Sequence, residues 1–410
     1  MDYSTERWID RFSQTLRTQW SAHRSRILQA AIGLMTIAAA VWLSYEFWRL
    51  IWQEGYWGAI DLRVLHSEVL RWASGGVLYS EARGALYPPA TFVLLWPFVG
   101  WLEFMPVRLL WTVITIGALV WLVYLTVAAC HANARLERIF VALVPLSLYA
   151  TGATIGNGQL GVLILPMLVC GILLLDRYKR KVWTDVLAAG LILWTLAKPS
   201  ISIPFFWIVI FAPRRLRPAL FVVLGYVALT LIAALYQDSS AVALFRDWLI
   251  FAPQVIGQAG YMDLFNGLRM LGLAQYYLPI ASAVLVLTGL WVYLYRDTDV
   301  WILMAVVAVV ARYWTYHGWY DDLLLLLPMI ALYRIAKSGV ASDSSDVVAG
   351  ILFAASLIVS IAPGGLYLFP APFNAIYVAM QMAIWLAVFV FLLVYAGRTR
   401  KVGQIEMARA

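Results

Sequence analysis

Apolar runs near the length that crosses a bilayer, about 20 residues, recur from residue 27 to residue 396 with mostly short polar loops between them. No other feature restricts the fold as much. In hydrocarbon every backbone N–H and C=O must be satisfied internally, and runs of this length select helices. The candidate segments are 27–48, 88–103, 106–129, 139–155, 159–175, 183–197, 199–212, 217–236, 276–295, 300–314, 322–335, 347–361 and 372–396. Several are short and interrupted by proline, which membrane helices tolerate when neighbours re-satisfy the backbone. Charged residues are 13% of the chain and apolar residues 63%, whereas a soluble domain carries about 25% charge. That balance excludes a soluble globular protein, a disordered chain and a fibrous repeat. The expected fold is an all-α, polytopic transmembrane bundle. It has one membrane domain, 27–396, between an N-terminal tail, 1–26, and a C-terminal tail, 397–410.

The formal charge of +8 is unevenly placed. Lys and Arg cluster at Arg17, Arg24 and Arg26, at Arg177, Lys179, Arg180 and Lys181, at Arg214, Arg215 and Arg217, and at Arg398, Arg400 and Lys401. The positive-inside rule puts such patches, and both termini, in the cytoplasm. Anionic lipid headgroups are a secondary partner for them, and nucleic acid is not implied. The polar stretch before residue 27 is long, and the run after it lacks a convincing A-x-A cleavage site. The first span is therefore read as retained. With segment 88–103 re-entrant or partly interfacial between Pro88-Pro89 and Pro106, the path makes about 12 crossings; the alternative places the loop 130–138 outside, with another break downstream. Cys130 and Cys170 lie at or within apolar segments and offer neither a disulfide framework nor a thiolate metal site.

On this path the outer face collects the polar residues able to do chemistry. The first outer loop, 49–87, carries Glu54, Asp61, Glu68 and Glu81 against Arg49, Arg63, Arg71 and Arg83. Leu62, Leu65, Val69, Leu70 and Ala73 recur at helical spacing, which predicts an amphipathic helix lying at the interface. Asp61 falls at its start, where a carboxylate either caps free N–H groups or serves as a catalytic base. Ser74-Gly75-Gly76 ends the helix, and Tyr87-Pro88-Pro89 leads into the next segment. Asn157-Gly158-Gln159 is either a tight turn or an amide pair lining a cavity. Lys198-Pro199 sets an ionisable group in a hydrophobic hairpin, by default a functional-site hypothesis. The densest cluster runs from Arg312 through His317, Tyr320 and Asp321 to Asp322, with aromatics interleaved. Those aromatics fit an interfacial belt. Arg312 and His317 also suit phosphate, because Arg offers a planar donor fork and charged His donates from either nitrogen. Asp321 and Asp322 either hold those cations or mark the water boundary. One carboxylate with several cations and amides on one face fits a membrane-borne anionic substrate.

Taken in order, Asp61, Tyr87-Pro88-Pro89, Gly158-Gln159, Lys198-Pro199, and His317 followed by Tyr320-Asp321 and a leucine run resemble the GT-C superfamily of membrane glycosyltransferases. The closer resemblance is to glycosyltransferase family 87, the bacterial polyprenol-phosphate-mannose-dependent α-mannosyltransferases and relatives. The chain departs from the pattern at Leu160, where relatives often carry Asn after the Gln. The resemblance implies a GT-C-like bundle in the bacterial inner membrane. Its donor is a polyprenyl-phosphate sugar, commonly mannose, and its acceptor a glycan or glycolipid at the outer face. Asp61 is the implied base of a single inverting displacement. His317, Arg312 and Lys198 are implied at the donor phosphate, and Tyr87, Asn157, Gln159, Tyr320 and Asp321 at the substrates. No cofactor or metal is expected, since the first outer loop has no D-x-D pair.

Two rivals remain at this level. A flippase or transporter of an anionic lipid would commonly show internal repeats and midplane charges. No repeat is evident here, and the charges sit at helix ends. A ligase or polymerase of lipid-linked glycans would favour a large outer loop with Arg and His. The loop 237–275 has Arg246 and Arg269 but also Asp238, Asp247 and Asp263, and no His.

Overall fold

A computed structural model describes residues 3–80, 83–178, 181–256, 263–338 and 344–409. Glu81, Lys179, Arg180 and the 257–262 part of the long loop lie outside the described residues. In chain order the helices are α1 (Tyr3–Ile51), α2 (Ile60–Ala73), α3 (Pro89–Val99), α4 (Phe104–Ala129), α5 (Arg135–Ser147), α6 (Tyr149–Asn157), α7 (Gly161–Arg177), α8 (Val182–Thr195) and α9 (Pro199–Phe211). Then follow α10 (Arg217–Ala234), α11 (Ala241–Ile256), α12 (Leu264–Met270), α13 (Tyr277–Tyr295), α14 (Val300–Tyr313), α15 (Leu326–Ser338), α16 (Ser345–Ser360), α17 (Gly365–Leu368) and α18 (Phe373–Arg409). A two-stranded hairpin, β1 (Tyr79–Ser80) with β2 (Arg83–Gly84), is the one sheet among the described residues. A 3-10 turn, Trp319–Leu325, leads into α15.

The twelve-crossing path does not survive. Among the described residues, five helical stretches are long and apolar enough to cross a membrane: Arg11–Ile51, Phe104–Ala129, Arg217–Ala234, Ala274–Tyr295 and Phe373–Arg400. The pair α6 and α7, bent by 115° at its break, makes a sixth if it counts as one span. The other segments read as spans fold as shorter apolar helices, among them Pro89–Val99, Val182–Thr195, Pro199–Phe211, Val300–Tyr313 and Ser345–Ser360. Helices of that length more often sit in a protein core or re-enter than cross. Helix α14 shows why hydropathy misleads: Trp301 to Val309, Ala311 and Arg312 are all buried, so its apolar residues face protein. Elsewhere the apolar surface is open. Leu220, Leu224, Val227 and Leu231 form an exposed stripe on α10, and Val286, Leu287 and Leu290 one on α13. Exposed apolar faces of that extent mark a membrane-associated protein.

Helix α2 differs from the interfacial helix expected for the first loop. Its apolar residues Leu62, Leu65, Val69 and Trp72 are buried. They face α3, α4 and α6, and the Trp72 indole donates to Ala233 O of α10 at 3.0 Å. The apolar stripe is turned into the bundle. Its entry angle is held by Arg108 of α4, whose guanidinium donates to Leu50 O at 2.6 Å and to Arg49 O and Gln53 O at 2.9 Å. These are carbonyls at the end of α1 that no helical partner can reach.

Buried carboxylates tie the opposite end of the bundle. Asp185, in the first turn of α8, is fully buried. Arg215 lies 2.7 Å from it, and Arg217 also pairs with it. Glu137 of α5 holds Lys337 of α15 at 2.6 Å. Removing one partner of such a pair strands the others. Asp185→Ala is expected to lower stability by on the order of 2 kcal/mol, below the roughly 3–5 of a fully buried pair because Arg217 is partly exposed. Thermal unfolding of the purified protein in detergent measures it.

Candidate active site

The site begins at a contact between α2 and the break in the α6–α7 pair. Gly158 ends α6 with φ +71°, a left-handed conformation that favours glycine. A Cβ there would lie 2.5 Å from Leu62 Cβ, so only glycine lets the turn close onto α2. That approach sets Gln159 beside Asp61. The N-cap of α2 is Ala59, and no side chain caps it. Asp61 sits in the first helical turn, and its carboxylate accepts from the Gln159 amide. The capping role open to Asp61 from sequence is not realised.

A chain of polar contacts runs on from Gln159. Lys198 donates to Gln159 Oε1 at 3.2 Å and to Asp321 Oδ1 at 2.6 Å. Asp321 Oδ2 lies 2.9 Å from His317 Nδ1. With the Gln159 amide between a carboxylate and an ammonium, its N–H faces Asp61 and its oxygen faces Lys198. Lys198 is placed by Pro199, which starts α9, and by Thr91 Oγ1, which donates to the neighbouring Ala197 O at 2.8 Å. The 312–325 segment is pinned from several sides. Trp314 donates to Ser200 O at 2.8 Å, Thr154 Oγ1 donates to Tyr320 O at 2.9 Å, and His317 N donates to Asp263 Oδ2 at 3.2 Å. Lys198 Nζ also stands 4.9 Å from the centre of the Tyr320 ring.

Two atoms in this chain are buried and have no partner among the described residues: Asp61 Oδ2 and His317 Nε2. Burial pushes the Asp61 carboxyl up to about 6, against the Gln159 hydrogen bond and the Lys198 charge. Burial also lowers His317, and the opposing pull of Asp321 does not overcome it. Burial raises Asp321 too, but Lys198 and His317 outweigh that and hold it below its ordinary value. Asp321 is then an ionised acceptor, so the proton of the neutral imidazole sits on Nδ1 and Nε2 presents a lone pair.

Of the residues singled out from sequence, Asp61, Gln159, Lys198, Tyr320, Asp321 and His317 therefore form one connected cluster. Tyr87 is buried and its phenol feels the Asp61, Glu68 and Asp321 charges. Its carbonyl accepts from Tyr79 at 2.6 Å. Asn157 is one step away: its Oδ1 accepts from Arg49 at 2.9 Å, and Arg49 pairs with Glu46 at 2.6 Å. Arg312 is diverted. It pairs with Asp322, which also accepts from Tyr149, and the guanidinium lines a small cavity with Gln381 and Trp385.

Sequence reasoning assigned no site role to three contributors, Glu46, Arg49 and Asp263. Glu46 and Arg49 brace the α6 end from the close of the first apolar run, and an acid inside that run with a base three residues on, just past its end, was the available signal. Asp263 supports the His317 backbone, and nothing in its local sequence marks it.

The sequence pattern of glycosyltransferase family 87 matches residues 85–323, more than half the chain. The chain belongs to glycosyltransferase family 87. It is a membrane glycosyltransferase of the GT-C superfamily. No curated protein and no solved structure matches it significantly. The family-87 match takes in Tyr87, Gln159, Lys198, His317, Tyr320 and Asp321 but begins after Asp61. Asp61 joins the family-87 residues by geometry alone, through Gln159. Gly158→Ala tests that joint. It should cost about 1–2 kcal/mol of stability from the left-handed backbone and lower sugar transfer at least roughly tenfold by displacing Gln159 from Asp61. Paired unfolding and transfer assays measure both.

Proposed function

We propose that this family-87 enzyme moves a sugar, mannose being the expected one, from a polyprenyl-phosphate donor to an acceptor glycan or glycolipid. The observation that carries this reading is the pair of unpartnered buried atoms, Asp61 Oδ2 and His317 Nε2, at the two ends of one hydrogen-bonded chain through Lys198. One end suits a base and the other an anion.

Asp61 Oδ2 takes the proton of the acceptor hydroxyl. The freed oxygen attacks the anomeric carbon from the face opposite the phosphate. The C1–O bond to phosphate breaks, and its electron pair leaves on the polyprenyl phosphate, so one displacement inverts the anomeric centre. A positioned base contributes about 10²–10⁴-fold. Lys198 supplies fixed positive charge near the leaving phosphate, and Arg312, held by Asp322, adds charge from behind. Tyr87, Asn157, Gln159, Tyr320 and Asp321 shape the substrate sites. In the resting site Nε2 cannot donate. The incoming phosphate adds negative charge, which favours protonation of the ring, so His317 takes up a proton as the donor binds and then donates it to a phosphate oxygen. Basic patches such as Arg214 to Arg217 support cytoplasmic termini, tails at 1–26 and 397–410 around one domain, and a site facing the exterior of a bacterial inner membrane.

With Asp61 poised at about 6, the base is ionised above that pH, and kcat/KM should fall as pH drops through it. The folded state holds this proton more tightly than the unfolded chain does. The Asp61 contribution to stability is therefore present at low pH and is lost as pH rises from 3.8 through about 6. Asp61→Asn is expected to abolish transfer with the fold intact. Full activity with a matched lipid donor would reject Asp61 as base. His317→Ala should raise the donor KM by about 10–100-fold, leave the acceptor KM near its original value, and flatten the pH dependence of donor binding. Steady-state kinetics with labelled polyprenyl-phosphate sugar tests all three. Release of polyprenyl phosphate in the same assay separates transfer from transport, in which the lipid moves without cleavage.

A further inference from the structure

A second recess lies at the other end of α14 from His317, about 20 Å away along 14 residues of helix. It is a cavity of about 640 Å³, within the roughly 300–1,000 Å³ of small-molecule sites. The end of α13, the turn at 296–299, the start of α14, the far half of α15 and Tyr395, Thr399 and Arg400 of α18 enclose it. Tyr295 on its wall ends the candidate span Ala274–Tyr295, and Arg400 belongs to the basic run Arg398, Arg400 and Lys401 that follows the last apolar segment of the chain. The recess therefore lies beside the basic ends of two apolar helices, where the positive-inside rule places charge near lipid headgroups.

Three guanidiniums line it: Arg296, Arg334 and Arg400. Two carboxylates line it as well, but both are engaged. Asp297 pairs with Arg214. Asp299 holds Arg334 at 2.9 Å and caps α14 through Trp301 N at 2.7 Å. Arg334 is further fixed by donating to Ala129 O at 2.7 Å. Arg296 and Arg400 make no ion pair with a carboxylate among the described residues. They rest on rings instead, Arg296 at 4.4 Å from the centre of Tyr293 and Arg400 at 5.3 Å from that of Tyr295. Arg296 also donates to the Tyr293 hydroxyl and feels the Asp297 charge; a guanidinium has five N–H donors, so part of its fork, like that of Arg400, stays open for a planar acceptor. Next to the recess, Leu290 and Leu294 continue an exposed apolar track along α13.

We propose that this recess binds the phosphate of an anionic membrane lipid. Arg296 and Arg400 grip the phosphate oxygens, Arg334 supplies a pre-set charge behind them, and the acyl chains lie along α13. Any phosphate ester would satisfy the arginines. The adjoining apolar track and the position beside the basic ends of two apolar helices favour a lipid over free phosphate. Positive-inside placement alone would require only that arginines sit near this end. It would not require a recess in which two of them stack on rings and make no carboxylate ion pair among the described residues.

The test uses the full chain purified in neutral detergent, with the thermal midpoint read on adding phosphatidylglycerol, phosphatidylcholine or millimolar inorganic phosphate. Phosphatidylglycerol is expected to raise the midpoint by about 4 °C, and the other two by far less. The double variant Arg296→Gln with Arg400→Gln should keep its lipid-free midpoint and lose most of that rise. The charge-keeping pair Arg296→Lys with Arg400→Lys should retain part of it, which keeps the test readable if the Gln pair folds poorly. An undiminished rise in both double variants would overturn the site. An equal rise with phosphatidylcholine would overturn anionic selectivity, and an equal rise with inorganic phosphate would overturn the lipid assignment.

Discussion

A lysine buried among apolar helices has to be answered by a carboxylate, and Lys198 is answered by Asp321 at 2.6 Å. Taking either charge out of water alone costs several kcal/mol, while together, with their remaining sites hydrogen-bonded, they can be held. Lys198 uses further donor capacity on Gln159, and Asp321 uses its second oxygen on His317. The need to pair these charges thus joins the start of α9, the α6–α7 break and the turn before α15. Loss of any one member would leave another charge or dipole stranded in a poorly solvated place.

The same pairing sets the chemistry of the ends. Because Lys198 is partly neutralised by Asp321, its pull on Asp61 is too weak to cancel burial, and the Asp61 carboxyl stays raised at about 6. A carboxylate so placed is a better proton acceptor than one in water, yet it is still ionised near neutrality. At the opposite end, Asp321 fixes the imidazole tautomer and leaves the buried Nε2 without a partner among the described residues. The bend of 115° between α6 and α7 makes room for this arrangement. An unbroken helix would carry Gln159 past α2, and the αL glycine at Gly158 is what allows the break.

The helical, membrane-associated class was legible in the runs of apolar residues, and so were most members of the polar cluster around Lys198, because an isolated polar residue at the edge of such a run is costly and therefore conspicuous. Lys198 and His317 stood out for that reason. The number of spans was not legible. Hydropathy measures how a segment partitions from water and cannot tell lipid from protein as the apolar partner, so α14, wrapped by its neighbours, looked like a crossing. The same ambiguity turned α2 the wrong way: Leu62, Leu65 and Val69 of its predicted stripe have the periodicity of an interfacial helix but are buried with Trp72 against α3, α4 and α6, and Leu70 is left exposed.

Sequence by itself therefore determined what this protein is made of: apolar helices, basic patches sorted by position, and a short roster of polar residues too expensive to be incidental. Tertiary structure decided which of those residues meet. Arg312 and Lys198 are both cations beside apolar segments, yet one is held by Asp322 and the other reaches the Asp61 cluster. That choice depends on where the helices that carry them cross. Crossing is set by packing between segments far apart in the chain, such as Gly158 against Leu62, and no local pattern encodes it.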